Sequence, residues 1–321
     1  MWLLRLLRVS AVLTPLVPAT IAYQFCKLIG LGFFLVNIRA RRNVLENLRR
    51  VDPSTTWLRR QFTAARVCIT VVTNYYDLLR LRSVDRETVL DDVQIDGLEH
   101  VESALGAGRG AIIVSGHIGN FSVMARLPAA LGLRAALIAE RVEPPSLFHY
   151  MARLRSAMGI EVIPPGSSTL RRVISLLKED GILLLAADRD VTGQGHAVLL
   201  FGERTTLPAG PVVLAMKTGA ALIPAYTLRT APHHSTVKIK PELALRRTGE
   251  WEEDIRVNME MLARQLERMI KRDPGQWAVL QRVWPPTTSY GRSEGLGSAD
   301  DALSSPDTAD NCNQRISTLE Y

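Results

Sequence analysis

A chain of 321 residues with 47% hydrophobic content is long enough to bury one large core, and no shift in composition along it requires a second domain. The net charge at pH 7 is +7. Cys26, Cys68 and Cys312 are widely separated and lack paired ligand spacing. This spacing argues against a disulfide framework and against a metal site of the zinc type.

The positive charge is concentrated near the N-terminus. The first sixty residues hold nine Arg and one Lys against Glu46 and Asp52, whereas the stretch from Thr287 to Tyr321 holds two Arg against six Asp or Glu. A basic, apolar beginning suits an anionic membrane surface better than nucleic acid, because few aromatic residues are interleaved with the arginines. We therefore expect a membrane surface among the partners and no nucleic acid.

The segment from Met1 to Ile38 is the most apolar part of the chain. Pro15, Pro18 and Lys27 interrupt it, which makes one continuous membrane-spanning helix awkward. A signal peptide would have a shorter apolar core and a cleavage site with small residues. An interfacial hairpin, or a helix lying on the bilayer, is the favoured interpretation, with a spanning helix and a buried core helix as alternatives.

Two helices follow this segment, and a buried strand comes after them. Arg39–Arg50 places Val44, Leu45 and Leu48 on one helical face, and Thr56–Leu81 has a similar apolar stripe. Val93–Ile95 is predicted as a short strand and Leu98–Leu105 as a helix. Ala111 to Val114 then reads as a strand buried on both faces, because apolar residues run through it without alternation.

A turn containing a histidine follows the buried strand. Gly116 and Gly119 end the strand, and Val123 to Leu133 resumes at helical spacing. His117 is therefore expected in a strand-to-helix turn, where a side chain can reach solvent and backbone N–H groups point outward. An imidazole at such a place can take a proton from a hydroxyl. The alternative is an ordinary polar residue of a turn.

After this turn strands and helices alternate, which predicts an α/β fold with a mostly parallel central sheet flanked by helices. Polar groups at the carboxyl ends of the strands form the expected site. The predicted strands are Ala135–Ala139, Glu161–Pro164, Gly181–Ala187, Ala221–Tyr226 and Thr236–Lys240, and the predicted helices are Pro144–Met158, Thr169–Lys178, Pro211–Thr218 and Trp251–Lys271.

Three parts of the chain are predicted from these patterns. Residues 1–38 form an apolar, membrane-associating segment, and residues 39–286 form the α/β domain. Residues 287–321, in which Gly, Ser, Asp and Thr dominate, form a disordered acidic tail.

The His117 turn resembles the histidine block of the glycerolipid-type acyltransferases. It is most similar to the branch that holds the bacterial lipid A late acyltransferases and the phosphatidylinositol mannoside acyltransferases. In that family the histidine is followed, five residues later, by Asp or Glu. Here the fifth residue is Ser122, so the block is only half kept.

Further blocks over residues 39–286 resemble the same family in their order and spacing. They are Arg41–Leu48, Ala139-Glu140-Arg141, Arg153–Pro164, Asp188-Arg189-Asp190, Leu200-Phe201-Gly202 with Leu207–Pro211, and Asp273–Trp277 with Trp284-Pro285.

The resemblance implies a membrane-associated enzyme that moves a fatty acyl chain from a thioester donor to a hydroxyl of a glycolipid or phospholipid. It implies His117 as general base, with Glu140 and Ser122 completing the catalytic set. It implies Arg155, Arg189, Asp188 and Asn120 as substrate-binding residues. Backbone N–H groups of the helix after His117, or a basic side chain, would hold the oxyanion.

The donor implied is acyl-CoA or acyl carrier protein, with no cofactor and no metal. The acceptor is a membrane lipid, and the location implied is the cytoplasmic face of the cell (inner) membrane.

Simpler interpretations exist for several of these residues. Arg155 could be an exposed helix residue. Asp188, Arg189 and Asp190 could simply form a local charge pair that stabilises the end of a strand. Glu140 could pair with a neighbouring arginine. Glu203 lies near the family's loop but off its acidic position. His233 and His234 are better explained as solvated than as metal ligands.

The departure at Ser122 leaves three functions open. A general-base histidine works best with a carboxylate on its other nitrogen, and Ser122 brings no charge. Glu140 could substitute for the missing carboxylate. If the scaffold has the family's geometry, Ser122→Asp is expected to restore a charged partner to His117. The alternatives are a non-catalytic homologue that binds lipid or a partner enzyme, and an unrelated hydrolase. A hydrolase needs an activated nucleophile, and this sequence contains no G-x-S-x-G elbow to supply one.

Overall fold

The computed structural model describes residues 14, 17–80, 84–138, 144–164 and 166–284. The N-terminal part of this range contains four helices: α1 (Ala19–Val36), α2 (Ile38–Val51), α3 (Trp57–Arg80) and α4 (Arg86–Asp91). Residues 1–13 and the predicted tail at 287–321 lie outside the described residues.

Strands and helices alternate through the middle of the chain, as the pattern predicted. The elements are β1 (Val93–Asp96), α5 (Leu98–Gly106), β2 (Ala111–Ser115), α6 (Phe121–Ala130), β3 (Ala135–Ile138), α7 (Pro145–Ser156), β4 (Glu161–Ile163), α8 (Thr169–Lys178) and β5 (Ile182–Ala186). They are followed by β6 (His196–Leu200), β7 (Glu203–Leu207), α9 (Gly210–Thr218), β8 (Ala221–Arg229), β9 (Ser235–Ile239), α10 (Trp251–Arg272) and a short 3₁₀ helix (Pro274–Gln276).

The central sheet has seven strands in the order β1-β9-β8-β2-β5-β3-β4. Its pairs are parallel except β8 with β9, which run antiparallel. The predicted α/β fold with a mostly parallel sheet flanked by helices is confirmed. Its central strand β2 has apolar residues on both faces: Ile112 and Val114 belong to one core cluster, and Ala111 and Ile113 belong to the other.

The sequence patterns predicted neither helix α4 nor a β-hairpin. Residues 196–207 form this separate two-stranded antiparallel hairpin, β6 with β7. Its turn consists of Phe201 and Gly202, both with positive φ (52° and 78°). Such two-residue turns are usually marked by Asn-Gly or Asp-Gly, and a phenylalanine in the first position hides the signal. In the same hairpin, Glu203 forms an ion pair with Arg50, with 2.5 Å between Oε2 and Nε.

Helix α1 packs lengthwise on α3, and the contact depends on a small residue. A Cβ added at Gly30 would lie 2.5 Å from the Cα of Ile69, closer than such atoms approach. Tyr23 meets Asp77 near one end of the pair, and Phe34 shares a cluster with Ala64 and Val67 near the other. The two helices therefore run antiparallel, with α1 held against the protein along its length.

The α1–α3 contact yields a prediction with an internal control. Gly30→Ala should lower the free energy of unfolding by roughly 1–3 kcal/mol, because the added methyl group forces the helices apart. Gly32→Ala, where nothing lies within 4 Å of the added Cβ, should stabilise the chain by up to about 1 kcal/mol through helix propensity. Thermal unfolding of both variants in detergent micelles measures the difference. Equal effects would show that α1 is not packed on α3 in this way.

Candidate active site

The predicted site lies at the carboxyl ends of two neighbouring strands. Strand β2 pairs with β5, with Ser115 opposite Ala186. His117 and Asp188 each come two residues after this pair, so both side chains start at the same edge of the sheet. The sheet register therefore brings together two residues that are 71 positions apart in the sequence.

His117 and Asp188 form a directly bonded pair. Nδ1 of His117 lies 2.8 Å from Oδ1 of Asp188, and the backbone N–H of His117 donates to Oδ2 of the same carboxylate, also at 2.8 Å. Trp277 donates its indole N–H to Oδ2 at 2.8 Å. The Asp188 side chain is fully buried, whereas 26% of the His117 side chain is exposed. The histidine thus faces solvent on one side and a buried carboxylate on the other.

The surroundings of Asp188 keep its carboxyl group ionised. Burial by itself would raise its pKa, but the nearby His117 and the hydrogen bonds from His117 and Trp277 outweigh this effect and lower the pKa to about 2. An ionised carboxylate only accepts hydrogen bonds, so Nδ1 of His117 carries a proton in the neutral ring. Nε2 is then the basic ring nitrogen, available to a reacting hydroxyl.

The backbone of the His117 turn is bonded on every side. The carbonyl oxygen of His117 accepts from Ala278 N–H at 2.7 Å, and that of Ile118 accepts from Thr227 Oγ1 at 2.9 Å. Gly119 donates its N–H to Gln276 O at 2.9 Å. Gly119 has a φ of +63°, and a Cβ there would lie 2.0 Å from the carbonyl oxygen of Thr227. Only glycine fits at this position.

Ser122 and Glu140 were predicted to complete the catalytic set. Ser122 is buried, and its Oγ lies 3.5 Å from the carbonyl oxygen of Asn74 rather than beside the His117 ring. Nδ1 of His117 is already bonded to Asp188. The structure therefore argues against a gain in rate from Ser122→Asp. Glu140 lies outside the described residues, so its place beside His117 stays a prediction.

Asp188, which was predicted to bind substrate, lies beneath the histidine. Its side chain has no exposed surface and is bonded to the imidazole, a placement that favours orienting the ring over contact with substrate. Asn120 is also buried, and its Oδ1 accepts from Val123 N–H at 3.3 Å, which caps α6. This placement does not favour contact between Asn120 and substrate.

The two arginines predicted to bind substrate occupy different places. Arg189 is half-buried and directly follows Asp188, whereas Arg155 is half-buried in the last turn of α7. Their roles remain predictions. Asp190 stabilises the loop that follows it. Its carboxylate accepts hydrogen bonds from the N–H groups of Gly193 and Gly195 and from the hydroxyl of Thr206.

The residues that sequence reasoning missed lie in the segment after α10. Trp277 bonds the catalytic-site carboxylate, and Gln276 and Ala278 bond the His117 turn. The resemblance over Asp273–Trp277 was the one signal for this segment. It marked the segment without indicating its partner, since that partner lies more than 80 residues earlier in the chain.

The chain is similar in sequence to bacterial acyltransferases. The sequence model of the family described as bacterial lipid A biosynthesis acyltransferase matches residues 1–285. The chain is 31% identical over 224 residues to the phosphatidylinositol mannoside acyltransferase of Mycolicibacterium smegmatis, covering 69% of this chain and 72% of that protein. It is 31% identical over 228 residues to the protein of the same name from Mycobacterium tuberculosis, covering 69% of this chain and 70% of that protein.

The position of Ser122 yields a stability prediction. Ser122→Asp should lower the free energy of unfolding by roughly 2–4 kcal/mol, because a buried carboxylate would face a carbonyl oxygen. Ser122→Ala, which loses at most a long hydrogen bond, should change it by less than about 1 kcal/mol. Denaturant titration of both variants measures these values. Wild-type stability of Ser122→Asp would reveal a cationic partner for residue 122.

Proposed function

Because this chain belongs to the bacterial lipid A biosynthesis acyltransferase family and is therefore an acyltransferase, we propose that it transfers a fatty acyl chain from a thioester to a hydroxyl of a membrane glycolipid or phospholipid. The single observation that carries the proposal is the bonded pair of His117 and Asp188, with 2.8 Å between Nδ1 and Oδ1. The acceptor to test first is a phosphatidylinositol mannoside, since the relatives carry that name.

In the proposed reaction Nε2 of His117 takes the proton of the acceptor hydroxyl as its oxygen attacks the thioester carbonyl carbon. The C–S bond of the tetrahedral intermediate then breaks, and the leaving thiolate takes the proton back from the imidazolium. The buried Asp188 carboxylate stabilises the imidazolium between these steps and holds the ring in the required tautomer. The chemistry requires neither a metal nor a bound cofactor.

The backbone N–H groups of Phe121 and Ser122 are candidates for holding the oxyanion. They lie in the first turn of α6, and within the described part of the chain no acceptor is assigned to either. Donors of this kind, fixed in a helix N-terminus, stabilise developing negative charge. Arg189 and Arg155 are the cations we assign to phosphates of the donor or the acceptor headgroup.

The Asp188 pair also bears on the alternative of a non-catalytic homologue. That alternative rested on the missing acidic residue at position 122. The Asp188 carboxylate, which comes from another strand of the sheet, places a negative charge beside Nδ1 of His117. The departure at Ser122 therefore no longer favours loss of activity.

The catalytic proposal is tested by two substitutions in purified enzyme with acyl-CoA, acyl carrier protein and a panel of lipid acceptors. His117→Ala should lower the transfer rate roughly 10²–10⁴-fold by removing the base. Asp188→Asn should lower it by up to about 10⁴-fold, because the amide supplies no charge and can favour the wrong tautomer. Circular dichroism confirms that each variant is folded. Wild-type turnover in folded His117→Ala would reject the proposal.

We also propose that the chain binds an anionic bilayer through the outer face of α1. That face is apolar and exposed, whereas the opposite face packs on α3. The exposed apolar residues of α1 are Ile21, Phe25, Leu28, Ile29, Leu31, Leu35 and Val36. The exposed residues Trp57, Leu58 and Phe62 extend the apolar surface at the start of α3.

Charge supports a helix on the bilayer surface rather than across it. α1 is long and apolar enough to cross a membrane by length and composition. Its partner α3, however, carries Arg59, Arg60 and Arg66, and charged groups at membrane depth are costly. Exposed Lys27 and Arg39 lie close to the apolar face in sequence, which suits anionic headgroups. Because acyl thioesters are made in the cytoplasm, we propose the cytoplasmic face of the inner membrane as the location of the enzyme.

Sedimentation with anionic liposomes tests the membrane proposal on the full chain. Phe25→Ser combined with Leu28→Ser should lower the partition coefficient at least about tenfold, because two exposed apolar side chains no longer enter the bilayer. Leu199→Ser is the matched control, since Leu199 is equally exposed but lies on the β6–β7 hairpin. These substitutions are preferable to deleting residues 1–38, which would uncover the α3 face. Equal binding by all three proteins would contradict the proposal.

A further inference from the structure

A cluster of buried polar side chains lies where α1, α3 and β8 meet. Tyr23 of α1 donates its hydroxyl to Oδ1 of Asp77 at 2.6 Å. Arg229, at the end of β8, lies 2.5 Å from Oδ2 of the same carboxylate, measured from Nη2. Asp77 is 1% exposed and Asn74, one helical turn earlier on α3, is also 1% exposed. Three elements are thus joined by the buried side chains of Tyr23 and Asp77 and the mostly buried side chain of Arg229.

This cluster reaches the His117 turn through Asn74. Nη2 of Arg229 donates to Oδ1 of Asn74 at 3.0 Å, and Nδ2 of Asn74 donates to the carbonyl oxygen of Gly119 at 2.8 Å. A guanidinium only donates hydrogen bonds, so the amide oxygen of Asn74 must face Arg229. The amide nitrogen is then directed to Gly119. The guanidinium of Arg229, paired with Asp77, therefore fixes the orientation of the Asn74 amide, so that its NH₂ group faces the carbonyl oxygen of Gly119.

The hydroxyl of Tyr23 stays protonated and remains a donor. Burial raises its pKa, and the neighbouring Asp77 carboxylate raises it further against the opposing effect of Arg229. The guanidinium of Arg229 also lies over the Tyr23 ring, 5.5 Å from the centroid. Helix α1 therefore contributes both a hydrogen bond and a ring face to the cluster.

Stability alone does not account for these residues. Apolar side chains of similar volume often replace a buried ion pair with no loss, or with a gain, in stability. Apolar replacements of these residues could neither orient the Asn74 amide nor donate a hydrogen bond to the carbonyl oxygen of Gly119. That oxygen belongs to the Gly119–Asn120 peptide unit, which connects the His117 turn to the first turn of α6. Holding it limits the movement of the His117 turn relative to α6, where the N–H groups of Phe121 and Ser122 lie.

We propose that Asn74 and Asp77 are positioning residues for the acyl transfer, and that Tyr23 makes their arrangement depend on α1 being seated on α3. The inference rests on the proposed function of the His117 turn and deepens it. The helix assigned to the membrane surface is thereby linked to the turn that carries the base through four side chains, those of Tyr23, Asp77, Arg229 and Asn74. Turnover is then sensitive to the seating of α1 on α3.

The decisive variant is Asn74→Asp, which keeps the size of the side chain and the acceptor for Arg229 but replaces the donor to Gly119 with an oxygen. It should lower kcat roughly 10–100-fold per folded molecule, while KM for donor and acceptor changes less than about threefold. Tyr23→Phe, which removes one hydroxyl, should lower kcat about three- to tenfold. Tyr75→Phe is the control, because Tyr75 is the exposed neighbour of Asn74 on α3.

A second measurement does not depend on activity. Hydrogen–deuterium exchange of the peptide covering residues 116–124 should become faster in Asn74→Asp and in Tyr23→Phe, and stay unchanged in Tyr75→Phe. Wild-type exchange in Asn74→Asp, or faster exchange with unchanged kcat, overturns the positioning role. An equal loss of kcat in all three variants does so as well. If folded His117→Ala keeps wild-type turnover, it is the proposed function that fails.

Discussion

A buried carboxylate without a partner is strongly unfavourable, and the active-site architecture depends on how Asp188 meets this constraint. Its oxygens receive the backbone N–H and the ring of His117 and the indole N–H of Trp277. These contacts join the end of β5, the turn after β2 and the segment after α10. Moving any one of the three would leave a buried negative charge incompletely satisfied. The same contacts orient the imidazole, so one set of hydrogen bonds both satisfies the buried carboxylate and supports the proposed role of His117 as base.

The segment after α10 is itself held by hydrogen bonds from helix α2, near the start of the α/β domain. Asn47 of α2 donates to Gln281 O at 2.8 Å and accepts from Val283 N–H at 3.2 Å, and Asn43 donates to Leu280 O at 3.1 Å. Through Trp277, these contacts extend to the carboxylate of Asp188. The resemblance blocks near both ends of the domain therefore serve one purpose, although neither contains a reacting group. They close the fold around the His117 turn.

Helix α1 combines two surfaces with different solvents. Its inner face meets α3 through Gly30 and contributes Tyr23 to a buried polar cluster, whereas its outer face is apolar and exposed. An apolar helix face that remains exposed in a folded domain marks an interaction surface. The ion pair of Asp77 with Arg229 lies on the protein side of α1 and is compatible with a helix pair resting on a bilayer. The proposed membrane contact and the proposed positioning of the His117 turn thereby share one structural element.

The sequence by itself determined the fold class, the family and the turn with His117, because these depend on local patterns: an apolar run buried on both faces, glycines that end it, and alternation of strands and helices. It missed the β6–β7 hairpin, since Phe201 occupies a turn position usually marked by Asn or Asp. It could not decide which carboxylate serves His117. Ser122 is near in sequence but buried beside Asn74, whereas Asp188 is 71 residues away and adjacent in space. Only the pairing of β2 with β5 brings Asp188 to the ring, and strand pairing is a property of the whole folded chain.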